Sequence, residues 1–544
     1  MSENTKKTIV LHGSILAAAG IITKIIGFIY RIPMANIIGN EGNGLYSVAF
    51  GIYNIALTLS SYSMPLAVSK LMSERIAKNR YKDAHRLFKR AFIFATCTGL
   101  IAFAALYFGA ETLAVLYKRE GLERPLRILA PTTFVVALLG TCRGYFQGHR
   151  NMIPTAVSQI VEQIVNAVVS VAAAYGFIAC FATEETMASY GAMGGTLGTF
   201  CGALAALIIF GGLFIIGKKK RIIEMSGSDE AVESEKIIFK SIVLTVIPVI
   251  ISQTIYQFGY TVDDLLYGNI MELKGIAGEV ATSMQGVFNT QYNTLINLPV
   301  AISTSMASAT LPSVVASFTV GDSKSVKEKI DTVIKTNMII AIPSAVGLAV
   351  LAEPIMSVLF PGLGEYKQLA VFLLRTGSSA VVFYALSTLT TSVLQGCNRM
   401  RIPVIHSGIS LAIHIVINGV LLYCTSLNVY ALIIGNVTFP LLVALMNIRS
   451  VRKLVGYEMK YGEVLVKPFI AAAIMGAAAY GVYTIGMLLA GNELRLTKVL
   501  VMTVAIVIAM IVYAVGLIIS GTVTKDELTN LPGLRKILKK RTHK

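Results

Sequence analysis

Residues 15–38 read ILAAAGIITKIIGFIYRIPMANII. The run is long enough to cross a bilayer, which takes about 20 apolar residues. It nevertheless carries two cations, Lys24 and Arg31. An ionisable residue at membrane depth costs roughly 2.5–3.5 kcal/mol on insertion scales, so each asks for a function. Seven residues separate them, nearly two turns, so both project from one face. Two cations on one face of a first helix suit a diphosphate or another anion. Snorkelling to the headgroups explains Arg31 better than Lys24.

The rest of the chain repeats the apolar pattern. Of its 544 residues, 55% are hydrophobic and 14% charged, against about 25% charged in soluble proteins. Such a chain needs lipid as solvent. Spans are expected near 8–37, 44–72, 89–117, 124–148, 152–181, 187–216, 237–268, 276–313, 327–353, 367–396, 402–424, 427–448, 467–490 and 496–521. The fold class is therefore an all-α polytopic membrane protein with about fourteen transmembrane helices. The N-terminal run resembles a signal peptide, but it continues past Ala17-Ala18-Ala19 and reads as a retained first helix.

The net charge of +18 follows the loops. With the N-terminus inside, the cytoplasmic connections carry Arg75 to Arg90, Lys218 to Arg221, Lys324 to Lys329, Arg399 and Arg401, Arg449 to Lys460, and the tail Lys539 to Arg541. The outer connections are short and poorer in positive charge, except 118–124 with Lys118, Arg119 and Arg124. The positive-inside rule then places both termini in the cytoplasm. This pattern also accounts for the basic excess without nucleic acid. Segment 73–90 reads as an amphipathic surface helix able to meet anionic lipids. The scattered cysteines Cys97, Cys142, Cys180, Cys201, Cys397 and Cys424 read as small apolar residues, with no metal-ligand spacing. No P-loop, HExxH or GxSxG motif is present, so the sequence offers no catalytic residues and disfavours an ATP-driven pump.

An internal repeat organises the spans. Pro65-Leu66-Ala67-Val68-Ser69 is similar to Pro299-Val300-Ala301-Ile302-Ser303, and Gln147-Gly148-His149-Arg150 to Gln395-Gly396-Cys397-Asn398. Arg127 and Arg375 each precede the glutamine by twenty residues. These matches predict parallel six-helix halves, a class that binds substrate between the halves. The expected organisation is an N-lobe at 1–216, a charged linker at 217–236, a C-lobe at 237–448, two further spans within 467–521 and a basic tail at 522–544.

Further polar residues lie in the spans. Asp263 and Asp264 in span seven either pair with Arg31 or bind a coupling cation. Glu162, with Gln159 and Gln163, is a polar cluster in span five that serves coupling or helix packing. Arg143 near the inner end of span four could guide an anion. His406 and His414 read as packed polar residues. Span eight holds Asn289-Thr290-Gln291-Tyr292-Asn293-Thr294 and Asn297, and so much amide in lipid predicts a wet cavity there. Pro299 is expected to kink that span. Gly194, Gly198 and Gly202 form a close-packing face.

Several of these stretches carry a family resemblance. Thr23 to Pro33, Ile38 to Tyr46, Pro65 to Lys70, Arg143 to His149, Pro154 to Ile164 and the ending Thr524 to Gly533 resemble the MurJ/SpoVB group, in its Gram-positive form. The resemblance covers essentially the whole chain. It implies the multidrug/oligosaccharidyl-lipid/polysaccharide exporter superfamily. It also implies a flippase for lipid II, the undecaprenyl-diphosphate-linked peptidoglycan precursor, and a tail groove along spans thirteen and fourteen. The family's cavity arginine in span one falls at Lys24, and a second falls at Tyr30 beside Arg31. Arginines held by many Gram-negative members in spans two and eight are missing, with Thr294 near one position. A cation site reported for some members uses acids in spans seven and twelve. Span twelve has none, which leaves Asp263 or Asp264.

The resulting expectation is a multi-pass, monomeric flippase of the cell membrane in cell-wall or spore-cortex synthesis. Lys24, Arg31, Arg143, Asn293, Thr294 and Asn297 would bind the diphosphate and head group. Asp263, Asp264 and Glu162 would serve a coupling ion (Na+ or H+) or an interlobe pair. No further cofactor is expected, and the membrane potential is the alternative driver. Another undecaprenyl-linked polysaccharide is the alternative cargo. A cation-coupled drug exporter would instead show twelve spans and an acidic cavity, and a membrane scaffold would tolerate loss of Lys24.

Overall fold

The computed structural model describes residues 3–61, 63–226, 233–319, 321–491 and 494–522, and its described residues contain helices and no strands. Ten of these helices are long and apolar enough to cross a membrane, or eleven if one bent pair is a single span. One of the ten, Ala18–Ile76, is 59 residues long. That is well over twice what one crossing takes. The chain divides into two compact units, Met1–Thr294 with Asn418–Val429, and Leu295–Ile417 with Tyr430–Lys544.

The first unit opens with α1 (Glu3–Ser60), which breaks once, at Gly39 (φ 71°, ψ 178°). Only glycine takes that conformation without strain. Asn43 repairs the break, since its Nδ2 donates to Ala35 O at 2.8 Å and to Gly39 O at 2.6 Å. The first expected span and the first part of the second are thus two arms of one bent helix. Next comes α2 (Met64–Ile76), with Pro65 in its first turn. The amphipathic segment 73–90 is not a single helix. α2 ends at Ile76, Asn79 turns left-handed (φ 56°), and α3 (Tyr81–Leu116) starts afresh. Asparagine tolerates that conformation better than most residues, and so stops the helix.

The segment's arginines pair with the linker. Arg75 and Arg80 pair with Glu233 at 2.5 and 3.5 Å, and Arg86 and Arg90 pair with Glu235. Asp83 Oδ1 accepts the Glu233 backbone N–H at 3.0 Å. Asp229 and Glu230 lie outside the described residues, as does the tail from residue 523.

Three long helices follow, α4 (Glu123–Gly148), α5 (Ile153–Phe181) and α6 (Met187–Ile216). The glycine face of α6 lies directly on α5. A Cβ at Gly198 would meet Ser170 Oγ at 2.1 Å and Asn166 O at 2.5 Å, and one at Gly202 would meet Glu162 O at 2.5 Å. Gly198→Leu is therefore expected to lower the Tm of the detergent-extracted protein sharply, by about 3 kcal/mol or more of overpacking. Gly176→Ala on α5, with nothing within 4 Å, is the matched control and should be neutral or mildly stabilising. Thermal unfolding of the two variants checks this.

After α7 (Lys218–Ser226), α8 (Glu235–Leu273) and α9 (Gly278–Gly286) complete the unit. A π-helical turn, Val287–Tyr292, then leads into α10 (Asn293–Thr319). The boundary of the compact unit falls beyond Thr294 rather than in the linker. The reason is close glycine packing of α9 on α1. A Cβ at Gly44 would lie 2.1 Å from Thr282 O, and one at Gly286 would lie 2.1 Å from Asn40 O.

The second unit holds α10 from Leu295, α11 (Ser323–Val350), α12 (Ala352–Leu359), α13 (Lys367–Gly377), α14 (Ala380–Gly396), α15 (Arg401–Cys424) as far as Ile417, α16 (Val429–Val455) from Tyr430, α17 (Lys467–Ala490) and α18 (Arg495–Ile519). The tenth expected span is the bent pair α13–α14, which turns by 44°. α17 rests on α11, with Gly476 beside Val346 and Val350, and Tyr513 of α18 donates to Ile339 O at 2.9 Å. His406 and His414 bond Asn447 Oδ1 at 2.7 Å and Gly435 O at 3.0 Å.

The repeat is visible in backbone detail. α4 and α14 end at the paired glycines Gly148 and Gly396. Two residues on, Arg150 and Asn398 both turn left-handed, at φ 60° and 58°. Each donates its N–H to the paired glutamine, to Gln147 O at 2.9 Å and to Gln395 O at 3.0 Å.

Candidate functional site

Lys24 is exposed on α1 and makes no ion pair among the described residues. Three residues on, a Cβ at Gly27 would lie 3.3 Å from Gln163 Nε2, so this face of α1 looks toward α5. Arg31 is half-buried and hydrogen-bonds the Tyr30 hydroxyl beside Tyr46. Tyr30 is held in turn by Asn166 Nδ2 at 3.3 Å.

Arg143 and Glu162, separate candidates in the sequence, form one ion pair. Arg143 Nη2 lies 2.5 Å from Glu162 Oε2, and Nε donates to Ser158 Oγ at 3.3 Å. Ser158 and Glu162 are one turn apart on α5, so they present together to α4. The pair satisfies Arg143 and equally occupies Glu162.

Span eight corrects a second expectation. Its residues Asn289, Thr290 and Gln291 pack into protein rather than face water. Asn289 Nδ2 donates to Asp264 Oδ1 at 3.0 Å and to Ser47 Oγ at 3.3 Å, Thr290 Oγ1 to Asn43 O at 3.4 Å, and Gln291 Nε2 to Asn40 Oδ1 at 3.3 Å. Hydrogen bonds to α1 and α8 meet the desolvation cost that water was expected to meet. Among the head-group candidates, Asn293 is half-buried and Thr294 is buried, its hydroxyl without a hydrogen-bond partner among the described residues. Asn297 is exposed in the second unit.

The two adjacent aspartates face different partners. Asp263 Oδ1 accepts from Asn418 Nδ2 at 2.9 Å. Asp264 is the centre of a buried network that the sequence did not reveal. Its Oδ1 accepts from Gln285 Nε2 at 2.6 Å as well as from Asn289, and Gln285 Oε1 accepts from Arg119 Nη2 at 2.7 Å. Asp264, Gln285 and Arg119 are 9%, 0% and 3% exposed. Burial lowers the Arg119 pKa, and the nearby Tyr267 and Asp264 oppose that shift. The network accounts for the cations of the 118–124 connection. Arg119 is spent inside, Lys118 pairs with Glu272 at 3.1 Å, and Arg124 covers the Tyr190 ring at 4.5 Å. Beside this network a cavity of about 1030 Å³ is rimmed by Glu41, Glu120, Glu272 and Glu279.

A helical bundle of many apolar spans, cations on the first of them and a polar network where two helix corners meet define a multi-pass transporter of the cell membrane. The family model described as polysaccharide biosynthesis protein matches residues 10–318, and a MatE model matches 248–420. The first match covers more than half of the chain, and the chain belongs to that polysaccharide biosynthesis protein family. It is 25% identical over 525 residues to the lipid II flippase MurJ of Bacillus subtilis (strain 168), covering 92% of this chain and 94% of that one. It is 25% identical over 543 residues to stage V sporulation protein B of the same organism, covering 98% and 99%. The solved inward closed conformation of lipid II flippase MurJ matches the fold with a TM-score of 0.67 at 14% identity, covering 92% of this chain and 97% of that one. The MurJ/SpoVB resemblance holds over nearly the full length.

Proposed function

We propose that the protein flips an undecaprenyl-diphosphate-linked glycan, with lipid II as the cargo, from the cytoplasmic to the outer leaflet by alternating access. The observation that carries this reading is Lys24, an exposed cation on the first span with no ion pair among the described residues. It joins full-length similarity to a lipid II flippase and to a sporulation protein. Lys24 and Arg31 take the diphosphate, and the apolar surfaces of α17 and α18 take the isoprenoid tail. The orientation keeps both termini in the cytoplasm, with fourteen crossings. In that orientation the corner at 40–44 is the outer bend of α1. Its contact with α9 is then an outer gate, and the Asp264 network is its latch. The acidic rim outside it repels a released diphosphate. Asp263 with Asn418 offers a carboxylate and an amide to a coupling cation, and the membrane potential is the alternative driver.

Expression in cells depleted of their lipid II flippase tests the reading. The wild-type protein is expected to restore growth, and Lys24→Ala to lose rescue while reaching the membrane in equal amount. Failure of the wild type sinks lipid II as cargo and favours another undecaprenyl-linked polysaccharide. Full rescue by Lys24→Ala sinks the diphosphate site.

A further inference from the structure

A second cavity has no part in the proposed transport path. An open cleft of about 530 Å³ lies in the first unit between α3, α4 and α6. Lys89 and Ile93 of α3, Leu138 of α4, and Leu207, Gly211 and Phe214 of α6 line it. The direction of these helices gives the cleft a polar and an apolar end. α3 starts at Tyr81 and α6 stops at Ile216, so Lys89 and Phe214 lie near the same end of the bundle. Ile93 is one turn further in, and Leu207 two turns. At 1.5 Å per residue the cleft runs about 10 Å along the spans. A Cβ at Gly211 would have nothing within 4 Å, so the slot exists partly because a side chain is missing. Its floor is aromatic, with Phe88 stacked on Phe214 at 5.2 Å and 24°.

The charge at the polar end is selective. Arg86 and Arg90, on either side of Lys89 in sequence, are taken by Glu235. Arg221 donates to Phe214 O at 2.7 Å and covers that ring at 5.2 Å. Lys89 is exposed and makes no ion pair among the described residues. An uncompensated ammonium at headgroup depth, above an apolar slot that opens sideways, complements one class of ligand. We propose that this cleft binds an anionic phospholipid, its phosphate on Lys89 and an acyl chain along Phe214, Gly211 and Leu207.

The test uses the full-length protein in phosphatidylcholine nanodiscs, titrated with phosphatidylglycerol and read by native mass spectrometry and Tm. Wild type is expected to bind phosphatidylglycerol in preference to phosphatidylcholine and to gain Tm on binding. Lys89→Gln should weaken the preference by about fivefold, the worth of one lysine at an anionic surface. Gly211→Trp should fill the slot and remove the bound lipid, with its lipid-free Tm confirming the fold. Lys78→Gln, an exposed lysine outside the cleft, should change nothing. Equal binding of both lipids by wild type, or an equal loss in Lys78→Gln, overturns the proposal. So does displacement of phosphatidylglycerol from the cleft by undecaprenyl phosphate, which would give the cleft to the cargo.

Discussion

Gly286→Val is expected to abolish growth rescue while the protein still folds and inserts. A Cβ at residue 286 would lie 2.1 Å from Asn40 O and 2.6 Å from Gly44 N, both backbone atoms that no rotamer change can move. The reciprocal contact is as tight, since a Cβ at Gly44 would meet Thr282 O at 2.1 Å and Thr282 Cγ2 at 2.7 Å. Valine carries two further methyl groups into that gap. Overpacking of this kind costs about 1–3 kcal/mol or more. A change near 2.7 kcal/mol moves the closed-to-open ratio about 100-fold. The corner of α1 and the end of α9 must then part, although the rest of each helix keeps its own packing. Under the proposed cycle the seam closes once per turnover, so the variant stalls open. Thiol labelling reads the seam directly. Thr282→Cys, in a background lacking the exposed Cys97, Cys180 and Cys424, should react slowly with a membrane-impermeant reagent. Labelling should become at least about tenfold faster when Gly286→Val is added. Unchanged labelling together with full rescue would remove the seam from the cycle.

The seam also shows which features the sequence could disclose. Periodicity and loop charge gave the apolar spans, because lipid imposes one rule on every spanning residue. The repeat was legible at Gly148/Arg150 and Gly396/Asn398, because a helix stop is written in a few consecutive residues, and both sites stop the same way. The glycine face of α6 was legible through its four-residue spacing and packs on α5 as expected. Pairing across distance was not legible. Arg119 and Gln285 are 166 positions apart, and Asn289 and Ser47 are 242 apart. A polar residue in an apolar run announces only that its desolvation must be met, not whether water, ligand or a distant amide meets it. In span eight a distant residue meets Asn289, Thr290 and Gln291, while Asn297 stays exposed. Arg143 and Glu162 were read as separate sites when each satisfies the other. Lys24 stands apart, since no partner among the described residues accounts for its charge.

Asp264→Ala is expected to be the most damaging single change in the buried network, well beyond Asp264→Asn. The Asp264 carboxylate takes two amide donors on one oxygen, and its charge faces Arg119 through Gln285. Alanine leaves both donors buried and unmade, at about 1–3 kcal/mol each. It also strips buried Arg119 of its counter-charge. Removing one member of a buried charge pair typically costs about 3–5 kcal/mol. Asparagine keeps an oxygen for Gln285 and Asn289 and loses only the charge, so most of the seam should survive. The charge contribution can be isolated by a cycle. Arg119→Met alone leaves Gln285 without its donor and Asp264 without its cation, whereas Asp264→Asn with Arg119→Met removes both charges together. The double variant should therefore label at Thr282→Cys more slowly than the sum of the single effects predicts, by about 1 kcal/mol or more of coupling. Strict additivity would mean that the amide of Gln285 insulates the two charges. The latch would then act through its hydrogen bonds alone, and Gln285→Leu should open the seam as fully as Asp264→Ala.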